Sequence, residues 1–438
     1  MKNEVITGEC IDITREGFGV VKVGSFPYFL KNVLIGEQVK FVVTLLKKNF
    51  GYGKPLEYLS LSPERVHPRC PLFPQCGGCQ LQQMSSNEQA RFKETLVKRM
   101  FYRNADMTID VKPIKAMDKP WNYRNKVMIP FQDNPYKAGF YRVNSHDIID
   151  MDVCEIQSDV QNRLYAYLKP KLKDLMRQFP VRTLMMREAM ATKQFMLVFV
   201  LWKRCEIPKI LLKDILETFP EMTSIQLCFN TEEGNTLLTR DTAVVYGEEF
   251  IEDVLLGLTY QISMHSFYQI NPIQTEILYQ TAIDYAQIKP EDTVLDLYCG
   301  IGTIGSTIAK QTGAKVIGIE VVPEAIEDAR NNAKRNGLEN IEFICADARK
   351  GAQHFAEAKQ TIDVIVVDPP RKGCDRETLD AIIAMKPRTL VYVSCDPATL
   401  ARDVRLLVDG GFRVEEVQPV DMFPQTKHVE CITLLTRK

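Results

Sequence analysis

The sequence contains no apolar run long enough to span a bilayer, and its opening Met1-Lys2-Asn3-Glu4 does not begin a secretory leader. It has no internal repeat and no low-complexity tract. It also lacks a strong charge of either sign, because 55 Lys and Arg stand against 56 Asp and Glu, a net −1. That balance argues against a nucleic-acid partner only if the charge is evenly spread. Residues 1–150 hold 22 Lys and Arg against 15 Asp and Glu, a net +7 that leaves −8 for the remainder. A basic N-terminal third is a plausible phosphate footprint, although scattered surface lysines give the same count.

The 438 residues are 45% hydrophobic and 25% charged, enough for two or three globular domains. Twelve cysteines are many for a chain without a leader. They suit the reducing cytoplasm, where clustered thiols point to metal binding or catalysis before disulfides. Isolated Cys10, Cys205, Cys228, Cys345 and Cys374 read as small apolar side chains.

Three textures follow one another. Residues 1–60 carry short apolar runs with glycines, such as Gly17–Val23 and Phe41–Thr44, the pattern of a small antiparallel barrel. Lys40, Lys47, Lys48 and Lys54 make it basic. Ser62–Pro68, with two prolines, reads as a linker. Residues 61–265 are mixed α+β, with a helix over 86–104 carrying Arg91, Lys93, Lys98, Arg99 and Arg103, and a strand at Phe195–Val200. Residues 266–438 form the third segment. In it, strands at Thr293–Leu297, Lys315–Ile319, Ile341–Ile344, Val364–Val367 and Thr389–Val393 alternate with helical periods, the rhythm of a doubly wound α/β parallel sheet.

The loop Asp296-Leu-Tyr298-Cys-Gly300-Ile-Gly302-Thr-Ile-Gly305 follows the first of these strands. Its glycines fit G-x-G-x-x-G and permit a tight turn close to a ligand, so a dinucleotide must be weighed. An acid just before the loop suits a cationic amino-acid moiety better than a pyrophosphate. Glu320, 24 residues on, ends the next strand, where it can accept from ribose hydroxyls. Asp347 ends a third strand, within reach of an adenine amino group, and Asp368-Pro-Pro ends a fourth. Four acids at successive strand ends describe a crevice. This order resembles the Rossmann-like S-adenosylmethionine methyltransferases, and the resemblance places Asp296, Tyr298, Gly300, Glu320, Asp347 and Asp368 around that cofactor.

The most specific stretch is Val391-Tyr-Val-Ser-Cys395-Asp-Pro-Ala-Thr-Leu-Ala-Arg-Asp403. Its cysteine ends an apolar strand and faces the crevice, and a helix starting near Pro397 is expected to favour the thiolate. A thiolate suits methylation of a poor carbon nucleophile. Sulfur adding to carbon 6 of uracil turns carbon 5 into an enolate carbon, and a base must later remove the carbon 5 proton. Glu430, in Phe423-Pro-Gln-Thr-Lys-His-Val-Glu430, opens the last apolar run.

These two motifs, with Ser266-Phe-Tyr-Gln-Ile-Asn-Pro272, resemble the RNA uracil-5 methyltransferases. The resemblance implies Cys395 as nucleophile, Glu430 as base, Gln269 on the cofactor and Phe267 packed on an extruded base. Cys70, Cys76 and Cys79 form a tight group, and Cys154 lies further on. Four thiolates suit a [4Fe-4S] cluster or zinc, and spacing does not decide. The set resembles the ribosomal RNA branch of the family, implying [4Fe-4S], and the N-terminal barrel resembles a TRAM module. The expected partner is thus RNA, 23S ribosomal RNA first and transfer RNA second, bound by a monomer. Trp121–Lys126 interleaves aromatic and basic residues, which suits stacking on RNA. A different methyl acceptor, or a non-catalytic iron–sulfur assembly factor, leaves Cys395 or Glu430 unexplained.

Overall fold

The computed structural model describes residues 3–234 and 236–437, so Met1 and Lys2 of the opening segment fall outside it. Five strands, β1 (Val5–Ile13), β2 (Gly19–Val23), β3 (Phe26–Leu30), β4 (Gln38–Leu46) and β5 (Gly51–Ser60), close into a barrel of order β1-β2-β3-β5-β4. Alternate residues of β4 turn inward, and Val39, Phe41 and Val43 meet Cys10, Val21 and Leu30 in its core. The segment expected as a free linker is pinned to this barrel, because Arg65 pairs with the fully buried Glu37.

Helix α1 (Ser86–Ala105) starts on Ser85, whose hydroxyl accepts from the Glu88 amide at 3.1 Å. Its apolar stripe of Phe92, Leu96, Val97, Met100 and Phe101 has helical spacing and is buried against the third segment of the chain.

The middle sheet contains β6 (Lys126–Gln132), β7 (Lys137–Tyr141), β8 (Ile148–Asp150), β9 (Val181–Glu188), β10 (Phe195–Leu201), β11 (Met222–Phe229) and β12 (Thr242–Gly247). Its order is β12-β11-β10-β9-β6-β7-β8, and only β10 and β11 run parallel. Helices α2 (Asp159–Leu175) and α3 (Lys209–Thr218) cover one face. All seven residues of β10 are buried, which explains its unbroken apolar run. Phe195, Leu197, Phe199 and Leu201 face the helices. Met196, Val198 and Val200 face the hairpin β13 (Phe250–Leu255) and β14 (Leu258–Ser263) and, beyond it, α4 (Pro272–Ala286).

The third segment alternates β15 (Thr293–Leu297), α5 (Thr303–Thr312), β16 (Lys315–Glu320), α6 (Pro323–Arg335), β17 (Ile341–Cys345), α7 (Ala348–Glu357), β18 (Val364–Val367), α8 (Arg376–Met385), β19 (Thr389–Ser394) and α9 (Pro397–Asp409). It ends with β20 (Phe412–Val420) and β21 (Glu430–Arg437). The sheet order is β17-β16-β15-β18-β19-β21-β20. Five parallel strands are therefore extended by an antiparallel pair, and the last strand inserts between β19 and β20. This doubly wound sheet is the α/β fold expected from the sequence.

Candidate active site

The sheet order places the four acids at or just beyond the ends of adjacent strands, with Cys395 following the fifth. Asp296 is buried. Its Oδ2 accepts from the Gly305 amide at 3.0 Å, and its Oδ1 has no protein partner. Burial, then the neighbouring Asp368 and Glu320, push its carboxyl up to about 8. Glu320 holds three backbone amides, from Val321 at 2.8 Å, Val322 at 3.0 Å and Gly300 at 3.2 Å. Gly300 has φ +56°, and a side chain there would project into open space beside Glu320. That open cradle and the orphaned Asp296 oxygen fit the ribose and amino-acid ends of S-adenosylmethionine.

The remaining cofactor candidates are placed unevenly. Asp368 lies just beyond β18, and burial raises its carboxyl to about 6. Asp347 caps α7, accepting from the amides of Arg349 at 3.1 Å and Lys350 at 3.4 Å, so one oxygen is committed to the helix. Tyr298 takes a left-handed φ of 67°, which turns the loop, while its side chain lies among Cys374 and Thr378. Exposed Val321, Val322 and Ile344 add apolar surface at the ends of β16 and β17. Sequence patterning missed them because apolar residues flanking a strand are indistinguishable from its core.

The loop after β14 is clasped from both sides. Arg187 of β9, itself buried, donates to the carbonyls of Ser263 at 2.6 Å and Ser266 at 2.9 Å. Asn125 donates to the Gln269 carbonyl at 2.9 Å. Asn271 donates to the Met422 carbonyl at 3.0 Å, tying this loop to the one before β21. Gln269 is buried within the loop, whereas the Phe267 ring is 71% exposed at its tip.

Cys395 is half-buried and follows β19, and Glu430 is buried at the start of β21. Ser394 pairs with Cys431, so the register sets Cys395 against Glu430. The expected thiolate is not favoured in this setting. Burial, then Glu430 and Asp368, push the Cys395 thiol up to about 12, and Asp396 adds to the effect. The positive end of α9 is taken by its own cap, since Asp396 accepts from the Ala398 amide at 2.8 Å. Burial, then Asp368, likewise raises the Glu430 carboxyl well above its usual range. Arg371, which the sequence reading passed over, opposes both shifts. Its only sequence signal is its position directly after Asp368-Pro-Pro.

Within the aromatic–basic stretch, Tyr123 faces inward, while Trp121 is only partly buried. Tyr123 is buried and donates its hydroxyl to the Pro424 carbonyl at 3.0 Å. It serves as a tie between the middle sheet and the loop carrying His428 and Glu430.

Cys70, Cys76, Cys79 and Cys154 line one cavity of about 960 Å³, together with Lys427 and His428. None is in a disulfide. Burial raises the thiols of Cys76, Cys79 and Cys154, the last two to about 12 and about 11. Among the described residues, no group of three or more His, Cys, Asp or Glu closes on a single metal ion. Nor, among them, is any helix long and apolar enough to cross a membrane.

The family described as tRNA (Uracil-5-)-methyltransferase matches residues 142–438. An RNA methyltransferase of Oceanobacillus iheyensis, described as uncharacterized, is 44% identical over 100% of this chain and 97% of its own length. One from Bacillus cereus is 41% identical, covering 100% and 97%. The crystal structure of Pyrococcus abyssi tRNA (uracil-54, C5)-methyltransferase with S-adenosyl-L-homocysteine has TM-score 0.79 and 27% identity, covering 98% of this chain and 99% of that one. By these matches the chain belongs to the tRNA (uracil-5-)-methyltransferase family.

Proposed function

We propose that this protein methylates carbon 5 of uridine in RNA, with Cys395 as nucleophile, Glu430 as base and S-adenosylmethionine as donor. The observation that carries the reading is the placement of Cys395 against Glu430 at the mouth of the acid-lined crevice. When bound, the donor supplies a sulfonium methyl group. Asp296, Glu320, Asp347 and Asp368, with the Gly300 cradle, the turn at Tyr298 and Gln269, hold it beside Cys395. Cys395 releases its Sγ proton to solvent and adds to carbon 6 as the thiolate, and the ring electrons move towards the carbon 4 carbonyl. Carbon 5 then takes the methyl group from the sulfonium, the bonding pair stays on sulfur, and S-adenosylhomocysteine is left. Glu430 removes the carbon 5 proton, the ring double bond re-forms, and Sγ leaves with its bonding pair. Phe267, exposed at the tip of its loop, stacks on the extruded base.

The preferred address is 23S ribosomal RNA, met by a cytoplasmic monomer. Residues 1–60 serve as a TRAM-like barrel, 61–265 as the RNA-binding middle segment and 266–438 as the catalytic segment. The all-sulfur donor set of Cys70, Cys76, Cys79 and Cys154 suits iron–sulfur or zinc chemistry. A [4Fe-4S] cluster with a structural role is the preferred occupant, because methyl transfer needs no redox step and the four cysteines resemble the set of the ribosomal RNA branch of the family. Transfer RNA is the second reading, favoured by the archaeal tRNA enzyme that matches the chain over 98% of its length. Digesting methylated 23S ribosomal RNA and transfer RNA to nucleosides tests the reading. 5-Methyluridine in the former supports it, 5-methyluridine in transfer RNA alone moves the address, and any other methylated nucleoside refutes the chemistry.

A further inference from the structure

The N-terminal barrel reaches the nucleophile. Its β1–β2 connection carries Arg15, whose guanidinium pairs with Asp396, the residue that follows Cys395. The docking has three parts. Ile13 is 4% exposed and Leu34 1% exposed, and both join the apolar core under the catalytic sheet. Asp12 pairs with Arg99 of α1 at 2.7 Å, and Arg99 also donates to the Ile13 carbonyl at 3.4 Å. Arg15 then spans the remaining gap to the catalytic turn. Asp396 divides its oxygens, Oδ1 to the Ala398 amide and Oδ2 to Arg15. Its own amide meets Ser394 Oγ at 3.2 Å, so the turn holding Cys395 is fixed at both ends.

We propose that Arg15 is a positioning residue for the nucleophile: it holds and neutralises Asp396, and so links barrel docking to the reactivity of Cys395. The inference rests on Cys395 being that nucleophile. The groups facing the thiol are Glu430 and Cys431 from β21, Asp368 and Arg371 from the connection after β18, and Asp396 from its own turn. Four are acids or a second thiol, and Arg371 alone among them is cationic. A free Asp396 carboxylate disfavours the thiolate, and a paired one does so less. Burial, then Arg371, Lys427 and Lys93, hold His428 neutral, and Arg15 adds to the effect.

The test follows alkylation of Cys395 by iodoacetamide in RNA-free, full-length protein, resolved by peptide mass spectrometry at one neutral pH. Arg15→Ala slows alkylation by about three- to tenfold, a rise of about half to one unit in the thiol's pKa. Arg15→Lys keeps most of the rate. In an Asp396→Asn background, where asparagine still caps the helix, Arg15→Ala changes nothing. Methylation kcat falls in parallel, with KM for RNA little moved. Arg15→Gln serves as the replacement if the alanine variant does not fold. The inference is overturned if alkylation is unchanged or faster in Arg15→Ala, if it slows equally in both backgrounds, or if only KM for RNA rises. Retained methylation by Cys395→Ala would instead refute the assignment of the nucleophile itself.

Discussion

Cys395 and Glu430 stand opposite one another where β19 and β21 part, because Ser394 pairs with Cys431 and the next register position brings thiol to carboxylate. The two residues are 35 positions apart in the chain, yet the inserted last strand makes them neighbours. Addition and elimination at one ring can therefore use one side-chain pair.

Separating the two roles gives the first prediction. Glu430→Gln keeps the nucleophile and removes the base, so methyl transfer proceeds and elimination stalls. A protein–RNA species resistant to denaturation should accumulate with ordinary uridine RNA and S-adenosylmethionine. Normal multiple turnover by this variant would exclude Glu430 as the base.

The pH dependence follows from the buried acids. In the folded protein Asp296 is pushed up to about 8 and Asp368 to about 6, while an unfolded chain ionises near 3.9. The folded state thus retains protons that the unfolded state has released, and this contribution to stability falls as pH rises from about 4 to 8. A sulfonium favours the ionised acids. S-adenosylmethionine should bind more tightly at about pH 8.5 than at about pH 6, with a smaller gain for S-adenosylhomocysteine, measured by calorimetry. Equal gains for the two ligands would disconnect these acids from the sulfonium.

The glycine loop is sensitive at Gly302. It has φ +78°, and a Cβ there would lie 2.6 Å from Phe343 Cζ. Gly302→Ala should cost about 1–3 kcal/mol of stability and weaken S-adenosylmethionine binding, read by thermal unfolding with and without ligand. An alanine variant with unaltered melting and affinity would contradict this placement.

Beneath the active-site loop, fully buried Lys93 pairs with Asp421 and donates to the Phe423 carbonyl at 3.1 Å. Lys93→Met leaves the largely buried carboxylate unpaired. It should destabilise the protein by about 3–5 kcal/mol in denaturant unfolding, with partial recovery in Lys93→Met/Asp421→Leu. A loss below about 1 kcal/mol would mean that the pair is replaced by water.

Much of the catalytic fold was legible because parallel strands covered on both faces are plain apolar runs. Thr293–Leu297 and Val364–Val367 agree with β15 and β18 residue for residue. The helix expected over 86–104 runs to Ala105. The insertion of β21 between β19 and β20 was not legible, since antiparallel pairing at a sheet edge leaves no local periodicity. The burial of Tyr123 and Lys93 was not legible for a related reason. A polar side chain reads as surface until its buried partner, here the Pro424 carbonyl or Asp421, is known. The Cys395 thiol ran against the helix-terminus argument because Asp396 takes the helix end and Glu430 and Asp368 face the sulfur.

The most direct test of the central claim uses RNA containing 5-fluorouridine, whose ring has no carbon 5 proton for Glu430 to remove. Incubated with S-adenosylmethionine, the protein should form a denaturation-stable adduct, and peptide mapping should place the RNA on Cys395. No adduct, or one mapped to another residue, would contradict methylation through this thiol.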